Sequence, residues 1–322
     1  MTATRIRCGV AGTGSLGQHH ARIYSTLPGA ELAGIFEPND ARAAEICAKH
    51  NCHRFATLDE MAAGCDAVSV VVPTNHHAAV ALPLLAKGVH LLIEKPICVT
   101  LEEASQILEA AAKADRIVQV GHIEHYNPVM SYLEKAVTDA RYITAERLAP
   151  FTPRGTEVGV VLDLMIHDID IVQSIVGRPI ESIDAVGTSV FSGAVDIANA
   201  RLRFAGGCVA NVTASRVSMK TERKLRVFRD DAYLSIDLQQ RILTTIRKRS
   251  GPLEAGQLPV QIDERSFEQA DALREEIRAF LGCIRTGRPP VVSGEDGLRA
   301  LETAIRITGL LAEQHANGGS VT

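Results

Sequence analysis

The stretch Ile6–Gly17 constrains the fold of this 322-residue chain more than any other. Ile6–Ala11 is a short apolar run of the kind buried in a parallel sheet, and it ends in Gly12, Gly14 and Gly17. This GxGxxG follows a strand and opens a helix over about His19–Leu27, which is the context a dinucleotide site requires. Gly12 permits the tight turn, Gly14 admits a pyrophosphate against the backbone, and Gly17 lets helix and strand pack closely. The helix N-terminus supplies unpaired N–H groups and a partial positive charge, so Thr13, Ser15 and Leu16 join the glycines as expected cofactor-binding residues. Glu37 lies twenty residues beyond Gly17, at the end of the second strand. A carboxylate there accepts hydrogen bonds from the adenosine ribose and repels a 2′-phosphate, which favours NAD over NADP. Arg42, downstream, weakens that preference without reversing it.

The first third of the chain alternates strand and helix. Strands are expected at Ile6–Ala11, Glu31–Phe36, Ala67–Val72, Val89–Glu94 and Ile117–Gly121, with helices at Asp40–His50, Ala78–Lys87 and Leu101–Ala114. Thr100 with Glu103 makes a capping box for the last of these. Repeated βα units with strands this apolar imply an α/β fold with a doubly wound parallel sheet over residues 1–121. The texture changes after Gly121. Residues 122–322 read as an α+β domain with a mainly antiparallel sheet, its strands including Tyr142–Leu148, Ile183–Phe191, Ile197–Phe204, Cys208–Ser215, Leu225–Arg229 and Leu234–Leu238. A single long helix, Val160–Val176, interrupts them, and two more close the chain at about Phe267–Thr286 and Glu295–Glu313. Asn317–Ser320 reads as a frayed tail.

Composition excludes several classes. With 38 acidic and 34 basic residues the net charge is −4, so no basic face for nucleic acid is advertised. The first strand begins at about Arg5, leaving no room for a signal peptide, and no apolar run approaches the ~20 residues of a membrane span. Seven scattered cysteines suit reduced thiols in a cytoplasm. Cys47, His50, Cys52 and His53 cluster, but their spacing fits no common zinc pattern, and no metal is expected.

Four further motifs occur in order: Val72–His77, Glu94-Lys95-Pro96, Gly121–Pro128 and Asp163–Asp170. With the GxGxxG they resemble the Gfo/Idh/MocA family of sugar and polyol dehydrogenases, over nearly the whole chain. The resemblance implies a Rossmann domain joined to an α/β domain whose open-faced sheet mediates homodimers or homotetramers. It implies that Pro73, Thr74, Asn75, His77, Glu94 and Lys95 line the cofactor, with Lys95 and His167 facing the nicotinamide across an interdomain cleft. There are departures: the family's Thr-Pro reads Val72-Pro73, His77 falls on its histidine position, and the usual arginine after Gly121 is His125.

Val160–Val176 is apolar nearly all round and therefore expected to be buried. Asp163, His167 and Asp170 are spaced four and three apart and share one face. Buried ionisable groups are either a structural network or functional, and the residues alone leave both readings open. Asp168 points away from that face, where a structural or capping role suits it. Lys95 ends a parallel strand, where open α/β sheets bind their ligands. Oxidation of a secondary alcohol needs a base for the hydroxyl proton. His167 is the expected base, Asp163 orients it or holds a hydroxyl, and Lys95 stabilises the oxygen; the reverse roles for Lys95 and His167 also satisfy the chemistry.

His-Ile-Glu-His-Tyr-Asn-Pro joined to Asp-Leu-Met-Ile-His-Asp-Ile-Asp resembles the subset of the family that oxidises the 3-hydroxyl of UDP-N-acetylglucosamine, whose ketone is then transaminated for diamino-sugar lipid A. On that resemblance His122, Glu124, Tyr126, Asn127, Asp163 and His167 contact the substrate. A pyrophosphate needs cations; Arg154 is the preferred clamp among Arg147, Arg154, Arg216, Lys220 and Arg223. A dehydrogenase of a free sugar or inositol and a non-catalytic dinucleotide sensor remain as other readings.

Overall fold

The computed structural model describes residues 5–137, 139–152, 158–249, 251–252 and 256–318. Contacts divide the chain into two units, Met1–Tyr126 with Asp271–Arg299, and Asn127–Ala270 with Ala300–Thr322. The segment Asp271–Arg299 thus belongs with the first unit, although the sequence reading placed everything after residue 121 in the second domain.

The first unit begins β1 (Ile6–Ala11), α1 (Gly17–Thr26), β2 (Ala30–Phe36), α2 (Asp40–His50), β3 (His53–Arg54) and α3 (Leu58–Gly64). It continues β4 (Ala67–Val70), α4 (His77–Ala86), β5 (His90–Glu94), α5 (Leu101–Ala114) and β6 (Val118–Gly121). The six strands are all parallel, in the order β3-β2-β1-β4-β5-β6. This doubly wound sheet reverses direction between β1 and β4, the switch point at which such sheets bind ligands. Its core packs Val10, Ile23, Tyr24, Ile35 and Leu92 against Ile277 and Phe280. The capping box is present, with Thr100 Oγ1 accepting from Glu103 N and Glu103 accepting from Thr100 N, each at 3.2 Å. The strand expected over Ala67–Val72 stops at Val70. Pro73 has no N–H for a ladder, and the chain leaves the sheet just before it.

The second unit contains α6 (Pro128–Ala136), β7 (Tyr142–Leu148), α7 (Ile166–Val176), β8 (Ile180–Thr188), β9 (Ile197–Phe204), β10 (Val209–Ser215), β11 (Glu222–Phe228), β12 (Ala232–Asp237), β13 (Ile242–Lys248) and β14 (Val260–Ser266). The sheet order is β14-β13-β12-β11-β7-β10-β9-β8. Only β7 with β10 is parallel among these pairings; the rest are antiparallel. Alternate residues such as Ile143 and Ala145, Leu202 and Phe204, and Leu225 and Val227 enter one core with Ile166, Ile169 and Val172 of α7. β14 is polar and exposed along almost its whole length, so no apolar alternation marks it in the sequence.

Two closing helices complete the chain, α8 (Ala272–Thr286) and α9 (Gly294–Gly318). α8 starts later than Phe267 because Asp271 is its N-cap, accepting from Arg274 N at 3.1 Å. α9 runs on through Asn317 and Gly318, where a frayed tail was expected; Ser320 lies outside the described residues. The helix expected over Val160–Val176 is not uniform: a π-helical turn, Val161–Met165, leads into α7. Such turns recur at functional sites. Among the described residues no helix is long and apolar enough to cross a membrane.

Candidate active site

In the first unit the carboxyl ends of β1, β2, β4 and β5 surround a cavity of about 870 Å³, within the ~300–1,000 Å³ usual for cofactor sites. Gly12, Gly14, Leu16, Glu37, Pro73, Thr74, His77, Glu94 and Lys95, all expected from sequence, line it. The glycines behave as the motif requires. Gly12 has φ +85°, and a Cβ there would lie 2.7 Å from Val71 O. At Gly17 a Cβ would lie 2.0 Å from Gly12 O, whereas Gly14 has open space beside its Cα. Only Gly14 therefore admits a phosphate against the backbone, and the donor set fits a dinucleotide.

Thr13 does not line the cavity but is buried beneath it, donating from N and Oγ1 to Glu37 Oε2 at 2.8 and 2.9 Å. Asn39 N donates to Glu37 Oε1 at 3.0 Å. Burial pushes the Glu37 carboxyl up, but these donors and nearby Arg42 outweigh it and hold the group below its ordinary value. Arg42 is itself occupied, donating to Thr13 O at 2.8 Å and pairing with Glu45 at 2.7 Å. Ser15 and Asn75 are exposed beside the cavity rather than in its lining. His77 is buried, with Nε2 on Val72 O at 2.9 Å and Nδ1 on Pro96 O at 3.1 Å, so it braces two cavity loops. The apolar walls Phe36, Pro38, Leu58 and Val80 were not read from the sequence; Phe36 and Pro38 flank Glu37, which was a usable signal.

Behind Glu94 lies a buried polar chain. Tyr24 OH reaches Ser69 Oγ at 2.8 Å, Ser69 Oγ reaches His20 Nδ1 at 3.0 Å, and His20 Nε2 reaches Glu94 Oε1 at 3.1 Å. Burial pushes the Tyr24 phenol well up, so it stays a donor. With Tyr24 donating to Ser69 and Ser69 to His20, the Nε2–H of His20 donates to Glu94, and the carboxylate is fixed in orientation. A Cβ at Gly121 would lie 2.9 Å from Glu94 Oε2, which explains a glycine at the end of β6.

Glu276 of α8 belongs to the same region. It is fully buried, and neither carboxyl oxygen has a hydrogen-bond partner among the described residues. Burial pushes its carboxyl well up, Glu94 pushes the same way, and His125 pulls part of it back. An acid whose pKa is raised on folding holds its proton in both states at low pH, and as pH rises the unfolded chain gives it up first. Its contribution to stability therefore falls as pH rises above the ordinary glutamate value of about 4.3. Glu276→Gln removes that loss. The variant is expected to melt above the wild type at pH 8 and together with it near pH 4. Thermal unfolding at the two pH values checks this, and a variant that melts lower at pH 8 would refute it.

His122 and Glu124 are buried, on and beside the short turn Ile123–Tyr126 that follows β6; Tyr126 is half-buried. Asn127, expected to touch substrate, spends its amide locally. Its Oδ1 accepts from Val129 N at 3.3 Å, and its Nδ2 donates to Leu238 O at 2.9 Å, capping α6 within the second unit.

In the second unit Asp163 lies on the π-helical turn and His167 in the first turn of α7, both half-buried, while Asp170 is buried. Asp168 is buried and forms a bidentate pair with Arg147 of β7, at 2.8 and 2.9 Å. This removes Arg147 from the candidate clamps. Arg216 is also buried, against Asp196 at 3.7 Å and the carbonyl of Val158. Asp196 accepts from the backbone N–H groups of Val190, Phe191 and Ser192 at 2.7–2.9 Å; these and the Ser192 hydroxyl overcome burial and hold its carboxyl far below the usual range. Lys220 pairs with Glu222, and Arg223 is exposed. Arg154 lies outside the described residues. Among the described residues no three His, Cys, Asp or Glu side chains are placed to hold a metal. All seven cysteines are unpaired; burial and Cys47 push Cys52 up to about 12.

Comparison with known proteins agrees with this geometry. Residues 6–122 match the model of the NAD-binding Rossmann domain of the GFO_IDH_MocA oxidoreductase family, and residues 138–319 match that of its C-terminal alpha/beta domain. A UDP-N-acetylglucosamine 3-dehydrogenase of Acidithiobacillus ferrooxidans is 38% identical over 304 residues, covering 94% of this chain and 96% of that one. A solved structure of that enzyme superposes with a TM-score of 0.91 at 37% identity, covering 96% of this chain and 98% of the other. A scyllo-inositol 2-dehydrogenase (NAD(+)) of Bacillus subtilis is 27% identical, covering 94% of this chain and 93% of its own.

Proposed function

The chain belongs to the Gfo/Idh/MocA oxidoreductase family with NAD as its cofactor, and from that premise we propose that it oxidises the C3 hydroxyl of UDP-N-acetylglucosamine to the 3-keto sugar. The observation that carries this reading is the 38% identity, across nearly the whole of both chains, to an enzyme of that activity, against 27% for an inositol dehydrogenase. NAD, when bound, accepts the hydride that leaves C3. His167 takes the hydroxyl proton as base, Asp163 orients the imidazole or holds a hydroxyl, and Lys95 stabilises the reacting oxygen. In support, Lys95 directly follows β5 and lines the cavity, and Asp163 and His167 keep part of their surface open. His122, Glu124 and Tyr126 complete the sugar site and Arg154 holds the pyrophosphate. The ketone suits a following transamination. The partly exposed face of the β8–β14 sheet pairs copies of the chain into a dimer or tetramer.

The test is NADH formation from NAD with UDP-N-acetylglucosamine, free N-acetylglucosamine or myo-inositol, with hydroxylamine present to trap the ketone. The expected signal is confined to the UDP-sugar. A signal with myo-inositol or the free sugar would replace the nucleotide-sugar reading with the second one, a free-sugar or inositol dehydrogenase. That reading draws its support from the Bacillus subtilis relative.

A further inference from the structure

The chemistry described so far leaves Glu276 without a task, yet burying an unpartnered carboxyl is costly. Its surroundings define what it can sense. Three elements pack against α8, and each carries a titratable side chain that interacts electrostatically with Glu276: Glu94 from β5, His125 from the turn after β6, and Tyr24 from α1. From β6, Gln119 donates its side-chain amide to the Glu276 backbone carbonyl at 3.3 Å, which ties α8 in place. Glu94 joins this interior group to the cofactor. Its carboxylate lines the cavity, and it is held from behind by His20 and against the Cα of Gly121. Glu37 lines the adenosine side of the same cavity, so Glu94 and Lys95 mark the other end, where the nicotinamide belongs.

Oxidised nicotinamide carries a positive charge and reduced nicotinamide does not. A charge brought against Glu94 is felt at Glu276, because Glu276 is fully buried and the Glu94 side chain, which already acts on it, is only 12% exposed. We infer that Glu276 is a proton-holding group that acts through Glu94: it keeps its proton beside reduced cofactor and gives it to solvent when NAD binds, the O–H bond breaking and the electron pair remaining on the carboxylate. Neutral Glu276 leaves Glu94 free to accept from His20, and ionised Glu276 adds a second negative charge opposite the nicotinamide cation. Linkage is reciprocal, so deprotonation of Glu276 tightens NAD and leaves NADH nearly unaffected. The inference rests on the NAD site and not on the sugar assigned above; a different substrate would leave it standing.

The experiment is binding of NAD and of NADH to the full chain between pH 6 and 9, with no sugar present. In the wild type the ratio of the NADH to the NAD dissociation constant is expected to rise about tenfold over that range, the equivalent of one unit of coupling. In Glu276→Gln the ratio is expected to stay flat. A rise that persists in the variant would overturn the inference and assign the titration to Lys95 or His125. A second readout needs no variant: at the pH where the ratio is changing, the infrared carbonyl band of a buried protonated carboxyl should weaken on adding NAD to wild-type protein and hold its intensity on adding NADH. A band that responds equally to both, or to neither, would also overturn it.

Discussion

Asp168→Ala is expected to cost the second unit about 3–5 kcal/mol, the range for breaking one partner of a buried ion pair. Arg147 and Asp168 side chains are 4% and 5% exposed, and they meet through two parallel bonds. Removing the aspartate takes two hydrogen bonds and the opposite charge from a buried guanidinium. Most of the loss is desolvation that the pair no longer offsets rather than the worth of the pair, which gives a discriminating control. Arg147→Met combined with Asp168→Leu removes both charges of the pair, and should recover most of the stability lost by the single variant. Urea unfolding followed by a signal from the second unit measures both. A single variant within about 1 kcal/mol of wild type would show that the pair is as weak as a surface bridge. The pair pins the first turn of α7 to β7, so it also fixes the helix on which the neighbouring residue His167 is carried.

That pair illustrates what a sequence tells and what it withholds. The helical spacing placed Asp168 off the face of Asp163 and His167 and so assigned it a structural role. Nothing local could name Arg147, which is separated from it by 21 residues and reached only once the sheet forms. The same division runs through the first unit. Gly12, Gly14, Gly17 and Glu37 were legible because each answers a backbone requirement fixed by near neighbours: a turn, a close approach, a helix contact, a strand end. Glu276 was not legible. It reaches the region of Glu94 from a helix that begins about 150 residues beyond β6, and its spacing in α8 looks like that of any core position. His77 and Asn127 matched family positions, but their nitrogens and oxygens are engaged by backbone groups that no pattern of residue types reveals. The π-helical turn at Val161–Met165 was equally hidden, since an apolar run does not distinguish a π turn from an α turn.

His167→Ala should lower turnover by about 10²–10⁴-fold, the range for losing a positioned general base, while NAD binding persists. The two effects are separable because the cofactor cavity is built wholly within the first unit, and His167 belongs to the second. A variant that loses both would indicate unfolding instead, and the melting curve would show it. Turnover alone does not identify the base, because Lys95→Met is also expected to be slow. The pH–rate profile divides the roles. A base must be unprotonated to act, so whichever side chain serves produces the fall in rate toward acid, and its removal abolishes that fall. With His167 as base, the acid limb vanishes in His167→Ala, survives in Lys95→Met, and part of the lost rate returns with added imidazole. With Lys95 as base, the pattern inverts and imidazole does nothing. Retention of full turnover by His167→Ala would remove the histidine from the mechanism, leaving the hydroxyl proton to Lys95 or to water.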